Sequence, residues 1–215
     1  MSMKSLGDYT IIKQIGQGSL GTVFLAEHRF LKKPFAIKVL PEELASDRTF
    51  VQRFEKEILG ISQLDHPHIV KIYNVSVIDG LYFLVADCIV DPMGETTNMA
   101  QFLSAKDRNL TEDEMLKIVQ QVGSALDYAH QKNSGDDIPL AHRGLKLNNV
   151  LIGTGKEGIS VHLCDFGLSR VIGTGTVLTR TYKVIADAVA AAPQVSISKG
   201  SPDKYTHFTS DPVKL

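Results

Sequence analysis

Three glycines at positions 16, 18 and 21 restrict the possible folds of this chain more than any other feature. They lie in the segment IGQGSLGTVFL, residues 15–25. The pattern G-x-G-x-x-G also occurs in dinucleotide-binding folds, but there a helix opens at the third glycine. Here β-branched and aromatic residues follow Gly21, which is typical of a strand. The segment therefore predicts two strands joined by a glycine turn.

Such a turn has two interpretations. Because glycine has no Cβ atom, its backbone N–H group can approach phosphate oxygens closely. A plain glycine-rich hairpin that binds nothing is the alternative. This segment alone does not decide between them.

A lysine stands in the middle of the next apolar strand, PFAIKVL, residues 34–40. A buried lysine is costly unless a charged partner accompanies it. Lys38 therefore indicates either an ion pair or a bound anion. The alternative is a lysine at a sheet edge that reaches solvent.

A helix is predicted over residues 46–64, where phenylalanine and isoleucine recur at helical spacing. Ser46 or Asp47 can cap its N-terminus. Glu57 lies at the edge of the apolar face and could point toward Lys38. Glu55 is the competing acidic residue, but it lies on the other side of the helix.

The middle of the chain predicts a hairpin and two helices. Two apolar runs, residues 69–77 and 81–89, meet at an Asp-Gly pair, which is a strong hairpin signal. A short helix is predicted over residues 99–105. Residues Thr111 and Glu114 form a capping box ahead of a long apolar period, which predicts the clearest helix of the chain.

The stretch HRGLKLNNV, residues 142–150, is followed by Asp-Phe-Gly at residues 165–167. With the glycine turn and Lys38, this order of motifs resembles the protein kinase superfamily, and within it the eukaryotic-like serine/threonine kinases of bacterial type. The resemblance implies an α+β fold of two lobes. The N-lobe would be a five-stranded antiparallel sheet plus one helix, and the C-lobe helical.

The resemblance also implies ATP and Mg²⁺ as cofactors and assigns roles to residues. Lys38, Glu57 and Lys146 would be catalytic, and Asn149 and Asp165 would bind the metal. Val85 would be the gatekeeper, and Ala86 to Cys88 would be the hinge whose backbone binds adenine. The nucleotide itself would be bound by Ile15, Gly16, Gln17, Gly18, Ser19, Leu20, Gly21, Thr22, Val23, Ala36, Lys38, Val85 and Leu151.

An internal apolar spine that links the two lobes is implied as well. Its members would be His142, Phe166, Ile61 and Ile72.

One position departs decisively from the family pattern. Gly144 stands where the family has the aspartate that accepts and orients the proton of the substrate hydroxyl. General-base assistance is typically worth about 10²–10⁴-fold in rate. Two hypotheses follow: a kinase homologue with weak phosphoryl transfer, and an inactive pseudokinase that acts as a nucleotide-binding scaffold or regulatory module. A third and weaker possibility is a truncated, non-functional product.

The motifs divide the chain into three parts. Residues 9–90 form the predicted N-lobe, and residues 91–192 a partial C-lobe that carries the catalytic and metal-binding loops. Residues 193–215 are polar and predict a disordered tail. The helices that would complete the C-lobe of the family are missing from this sequence.

Composition excludes several other classes of protein. With a net charge of −1 and no charge run, nothing favours nucleic acid or an anionic membrane as a partner. No apolar segment is long enough for a membrane span or a secretory signal, and the two cysteines fit no metal or disulfide spacing. We therefore expect a soluble, cytoplasmic protein. The kinase resemblance implies that its partner is a protein substrate or a regulatory protein.

Overall fold

The computed structural model describes residues 4–18, 20–91, 95–107, 109–132, 140–155, 158–168, 194–197 and 208–211. The chain divides into two compact units, residues 1–172 and 173–215. The first unit carries all the predicted site residues, and the second is described separately.

The first half of the larger unit is an antiparallel sheet with the strand order β1-β2-β3-β4-β6-β5. The five predicted strands are present, and the two-residue β1 adds a short sixth strand at the edge next to β2. The strands are β1 (Ser5–Leu6), β2 (Tyr9–Gly18), β3 (Gly21–His28), β4 (Pro34–Val39), β5 (Ile72–Ile78) and β6 (Leu81–Asp87).

The predicted hairpin between β5 and β6 is confirmed, and its turn explains the tight connection. Asp79 and Gly80 both have positive φ, 51° and 79°. Two left-handed residues in a row form the turn whose twist matches that of paired strands. The hairpin places β6 in the interior of the sheet beside β4.

The predicted helix of this half is α2 (Arg48–Ile61), preceded by the four-residue helix α1 (Glu42–Ala45). Asp47 is the N-cap, because its side chain accepts hydrogen bonds from the backbone N–H groups of Thr49 and Phe50. Glu57 is buried with the apolar face of α2, whereas Glu55 is exposed. The choice of Glu57 as the inward-facing carboxylate is consistent with this burial.

The second half contains two helices and a small sheet. The helices are α3 (Met99–Ala105) and α4 (Glu112–His130), and both begin with a capping box. The sheet contains β7 (Thr97–Asn98), β8 (Val150–Gly155) and β9 (Gly158–Leu163). Gln121 of α4 binds β9, since its Oε1 accepts from the N–H of Val161 at 2.8 Å and its Nε2 donates to the carbonyl of Ile159 at 3.2 Å.

The smaller unit contains an antiparallel pair of strands, β10 (Gln194–Ile197) and β11 (Phe208–Asp211). The sequence predicts a disordered tail over residues 193–215, so the structure differs from that expectation in these eight residues. Alternating apolar residues in β10, Val195 and Ile197, fit a strand better than the polar composition of the whole tail suggests.

None of the helices among the described residues is long and apolar enough to cross a membrane.

Candidate active site

The glycine turn is a hairpin whose strands remain paired up to Gly18 and Gly21. Gly21 is required by the fold: its φ is +117°, and an added Cβ would lie 1.9 Å from the carbonyl oxygen of Val39. Gly18 is different, because an added Cβ there would meet nothing within 4 Å. Packing within the described residues therefore does not explain a glycine at 18, and its role in close approach to a ligand stays a prediction.

The remaining residues assigned to this hairpin are arranged around the turn. Leu20 is buried, Gln17 is exposed, and Ser19 lies outside the described residues. The other members are half-buried: Ile15, Gly16, Thr22 and Val23.

One face of the sheet collects the side chains expected to surround a nucleotide. Val23 is paired with Lys38, and Leu25 with Ala36. Residues directly opposite each other in paired strands share a face, and successive residues alternate between faces. Val23, Ala36 and Lys38 therefore lie on the same face of β3 and β4.

The same register corrects the assignment of Val85. Val85 is paired with Ile37, so it lies on the opposite face from Lys38. It is fully buried in a core cluster that also contains Ile37 and Phe83. Ala86 is paired with Ala36 instead, which makes Ala86 the residue of β6 that faces the proposed adenine pocket.

Lys38 forms a direct ion pair with Asp165, the aspartate of the Asp-Phe-Gly triplet. The two side chains are only 16% and 26% exposed. Asp165 adopts a left-handed backbone conformation with φ of 63°. Such conformations are costly and cluster at functional sites, where the surrounding structure holds them in place.

Glu57 lies close to the Asp-Phe-Gly triplet that contains Asp165. Its Oε2 atom is 3.7 Å from the position that a Cβ on Gly167 would occupy. The buried carboxylate of α2 therefore faces the Asp-Phe-Gly triplet. Its pairing with Lys38 stays a prediction.

His142 holds in place the expected catalytic loop, residues 140–149. This side chain is buried, and its ring packs against that of Phe166 in a tilted arrangement, with centroids 4.5 Å apart. The Nδ1 atom accepts a hydrogen bond from the N–H of Gly144 at 3.3 Å, and the carbonyl accepts one from Gly167 at 3.1 Å. His142 thereby joins the catalytic loop to the triplet that contains Asp165.

The other two expected spine members are Ile61 and Ile72, and their place in a spine stays a prediction. Ile61 approaches the triplet, since its Cδ1 lies 3.2 Å from the Cβ position of Gly167. Ile72 of β5 is half-buried and paired with Ala86.

Burial also determines the protonation of two groups here. Desolvation lowers the pKa of His142 below its ordinary range, which favours a neutral ring. Burial raises the pKa of the neighbouring Cys164 thiol to about 12. The Cys164 thiol is therefore protonated at neutral pH.

Asn149 is held in place by the same loop. Its Nδ2 donates a hydrogen bond to the carbonyl of Gly144 at 2.8 Å, which leaves Oδ1 available to other partners. Asp165 and Asn149 together offer hard oxygen ligands, the type that Mg²⁺ prefers. Among the described residues, no group of three or more His, Cys, Asp or Glu side chains could hold a metal ion alone. A cation at these two residues would therefore need further ligands, such as water or phosphate oxygens.

Two cations and no carboxylate face outward from the loop. Arg143 and Lys146 are both exposed, and residues 140–149 contain no Asp or Glu. Gly144 is half-buried and supplies no side chain. The position of the family's general base is therefore not filled by another residue of this loop. Leu151, assigned to the floor of the adenine pocket, is half-buried on β8.

Sequence reasoning did not place Ala86 or Leu84 on the face of Lys38, which both residues share. The run LYFLVA, residues 81–86, is apolar throughout, so it contains no alternation from which a face could be identified.

The fold and this site define a class of two-lobed protein. Its features are a glycine hairpin, a lysine–aspartate ion pair and a loop, residues 140–149, that carries two exposed cations. A protein kinase domain model matches residues 9–200. The serine/threonine-protein kinase PrkC of Bacillus subtilis is 31% identical over 188 residues, covering 87% of this chain and 26% of that protein. The serine/threonine-protein kinase pkn1 of Chlamydia caviae is 36% identical over 172 residues, covering 80% and 26%.

Solved structures of protein kinase domains are also similar to this chain. The crystal structure of the Mycobacterium tuberculosis PknI kinase domain has a TM-score of 0.61 and 31% identity, covering 76% of this chain and 61% of that chain. The chain belongs to the protein kinase domain family, and its resemblance to bacterial serine/threonine kinases is confirmed. It spans only about a quarter of the curated relatives named above.

Proposed function

We propose that this chain binds ATP with Mg²⁺ beneath the glycine hairpin and is a serine/threonine protein kinase homologue with weak phosphoryl transfer. The observation that carries the proposal is the ion pair of Lys38 and Asp165 on the cleft side of the sheet. A lysine and a metal-binding carboxylate are the two groups that a nucleotide triphosphate needs there.

The roles in this proposal are those that the family resemblance implies for the matching residues. Lys38 binds the α- and β-phosphates, Glu57 orients Lys38, and Lys146 neutralises the γ-phosphate. Mg²⁺, held by Asn149 and Asp165, would withdraw charge from the phosphate oxygens. The adenine ring lies between Val23 and Ala36 above and Leu151 below.

Gly144 is the reason that transfer should be weak. A serine or threonine hydroxyl must lose its proton, and no carboxylate of the loop 140–149 accepts it. Because the transition state of phosphoryl transfer is loose, positioning by cations retains part of the rate. The partner in this proposal is a protein substrate.

The second candidate is a pseudokinase that binds nucleotide and a regulatory protein partner. Gly144 favours it too, because a scaffold has no use for a general base. The two candidates share the binding site and differ only in transfer.

Two measurements test the proposal. ATP binding is titrated with Mg²⁺ for the parent, Lys38→Met and Asp165→Asn, with Arg53→Gln as a control that removes a distant exposed cation of α2. We expect weaker binding in the first two variants only; equal binding in all four proteins would contradict the site assignment. Transfer of labelled γ-phosphate to a serine peptide then separates a weak kinase from a pseudokinase.

A further inference from the structure

The loss of a carboxylate at position 144 changes the charge of the site as well as its proton chemistry. Arg143 and Lys146 are exposed, and the loop that carries them, residues 140–149, contains no Asp or Glu. Asp165 is already paired with Lys38. Within this described loop, the charges beside Gly144 are therefore cationic.

Neutral and anionic acceptors respond to this change in opposite ways. A hydroxyl acceptor loses the base that would take its proton. An acceptor oxygen that already carries negative charge needs no base. It is also spared the repulsion that an aspartate at position 144 would exert, which is substantial at contact distance near a protein surface.

We propose that the preferred acceptor of this site is a peptide oxyanion, either a phosphate monoester or a side-chain carboxylate, rather than a serine or threonine hydroxyl. The proposal rests on the ATP-binding function proposed above. Arg143 suits either anion because its planar guanidinium can donate two parallel hydrogen bonds. Lys146 would lie between the acceptor and the γ-phosphate and reduce their mutual repulsion.

The reaction balances without a proton acceptor. A lone pair of the acceptor oxygen forms the new bond to the γ-phosphorus. The bond from that phosphorus to the β–γ bridging oxygen breaks, and the nucleoside diphosphate leaves with the electron pair. A phosphate acceptor yields a pyrophosphate linkage, and a carboxylate yields an acyl phosphate. With a hydroxyl acceptor, the same transfer would release one proton.

The backbone permits a direct test by substitution. Gly144 does not have positive φ, so an aspartate can occupy the position without left-handed strain. Its N–H and carbonyl bonds to His142 and Asn149 involve only the backbone of residue 144. Gly144→Asp should therefore fold, and a thermal melt checks this.

The experiment compares three peptides that differ at one residue: serine, phosphoserine and aspartate. Each is incubated with Mg-ATP labelled at the γ-phosphate. A parallel reaction of the aspartate peptide is then treated with hydroxylamine, which converts an acyl phosphate to a hydroxamate and releases its labelled phosphate. In the parent we expect faster labelling of the phosphoserine or aspartate peptide than of the serine peptide. Which of the two is labelled identifies the oxyanion. In Gly144→Asp we expect the order to reverse in favour of serine.

Arg143→Gln provides a second test, with Arg53→Gln as the matched control on the exposed side of α2. Loss of a hydrogen bond to a charged group should reduce labelling of the anionic peptide by roughly tenfold or more. The control should have no effect. Labelling of the serine peptide should change less than that of the anionic peptide.

Three results would overturn the inference. If the parent prefers the serine peptide, the acceptor class is wrong. If ATP binds but no peptide is labelled, the inference fails while the nucleotide site stands. If ATP does not bind, the inference and the proposed function both fail.

Discussion

The ammonium group of Lys38 on β4 pairs with the carboxylate of Asp165, which lies 127 positions further along the chain. This ion pair joins the central sheet to the loop that follows β9. It also engages the carboxylate proposed to bind the metal. Nucleotide binding would therefore break this ion pair. The phosphates would take the place of Asp165 beside Lys38, and the cation would take the place of Lys38 beside Asp165.

Lys38→Met should destabilise the nucleotide-free protein. It leaves Asp165 mostly buried without its cation, and a hydrogen bond to a charged group is worth about 1.5–3 kcal/mol. Urea unfolding of Lys38→Met, Asp165→Asn and the double variant gives the coupling energy. Lys32→Met, which removes an exposed pair with Glu27, serves as the control and should change little. Additive effects of Lys38→Met and Asp165→Asn would contradict direct coupling.

Gly18→Ala and Gly21→Ala should have opposite consequences. Gly18→Ala should retain stability but weaken ATP binding, because its new Cβ meets no protein atom within 4 Å and would face the ligand instead. Gly21→Ala should lower stability by more than about 1 kcal/mol, since its φ of +117° and the contact at 1.9 Å both oppose a side chain. Thermal melts and ATP titrations of both variants separate the two effects. Equal loss of stability would show that both glycines serve the fold.

Much of this architecture follows from the sequence because its signals are local. The capping box at Thr111, the turn at Asp79 and Gly80, and the glycine hairpin each depend on a few neighbouring residues. The side of the sheet on which Val85 lies does not follow from such local signals. A shift of one residue in register moves every side chain to the other face, and an apolar run contains no alternation to indicate which face is buried.

Local sequence patterns also do not predict long-range contacts. The helix carrying Glu57 and its inward orientation could be inferred from apolar spacing. The pairing of Lys38 with Asp165 could not, because it depends on how the loop after β9 folds back onto the sheet. The contact between the rings of Phe166 and His142 follows only from the family resemblance.

The corrected register predicts different roles for Val85 and Ala86. Val85→Ala should cost about 1–3 kcal/mol of stability through a cavity in the core cluster, with ATP affinity unchanged. Ala86→Phe should instead obstruct the face that carries Ala36 and Lys38 and weaken ATP binding. Chemical unfolding and nucleotide titration of both variants test this assignment. Weaker ATP binding in Val85→Ala at full stability would restore Val85 to the pocket.

The N-cap of α2 should contribute measurably to stability. Asp47 Oδ1 accepts from Thr49 N at 2.8 Å and from Phe50 N at 3.2 Å. Asp47→Ala should therefore cost about 1 kcal/mol, the usual effect of losing an N-cap. Ser46→Ala is the matched control, because Ser46 bonds only the carbonyl of Glu42 in α1. A larger loss in Ser46→Ala would indicate that the α1 contact, rather than the cap, holds this region.

Acidification should destabilise the folded protein through its buried histidines. Burial lowers the pKa of His142 and of His162, and proximity to His68 lowers that of His162 further. Since the folded pKa lies below the ordinary value of about 6.5, the unfolded state binds protons first as the pH falls. The free energy of unfolding should therefore decrease below about pH 6.5, with a slope of up to about 1.4 kcal/mol per pH unit for each histidine. His162→Gln should reduce that slope in urea unfolding between pH 7.5 and roughly 5.5, a range that spans the ordinary histidine pKa. An unchanged slope in this variant would exclude His162 as a source of the acid sensitivity.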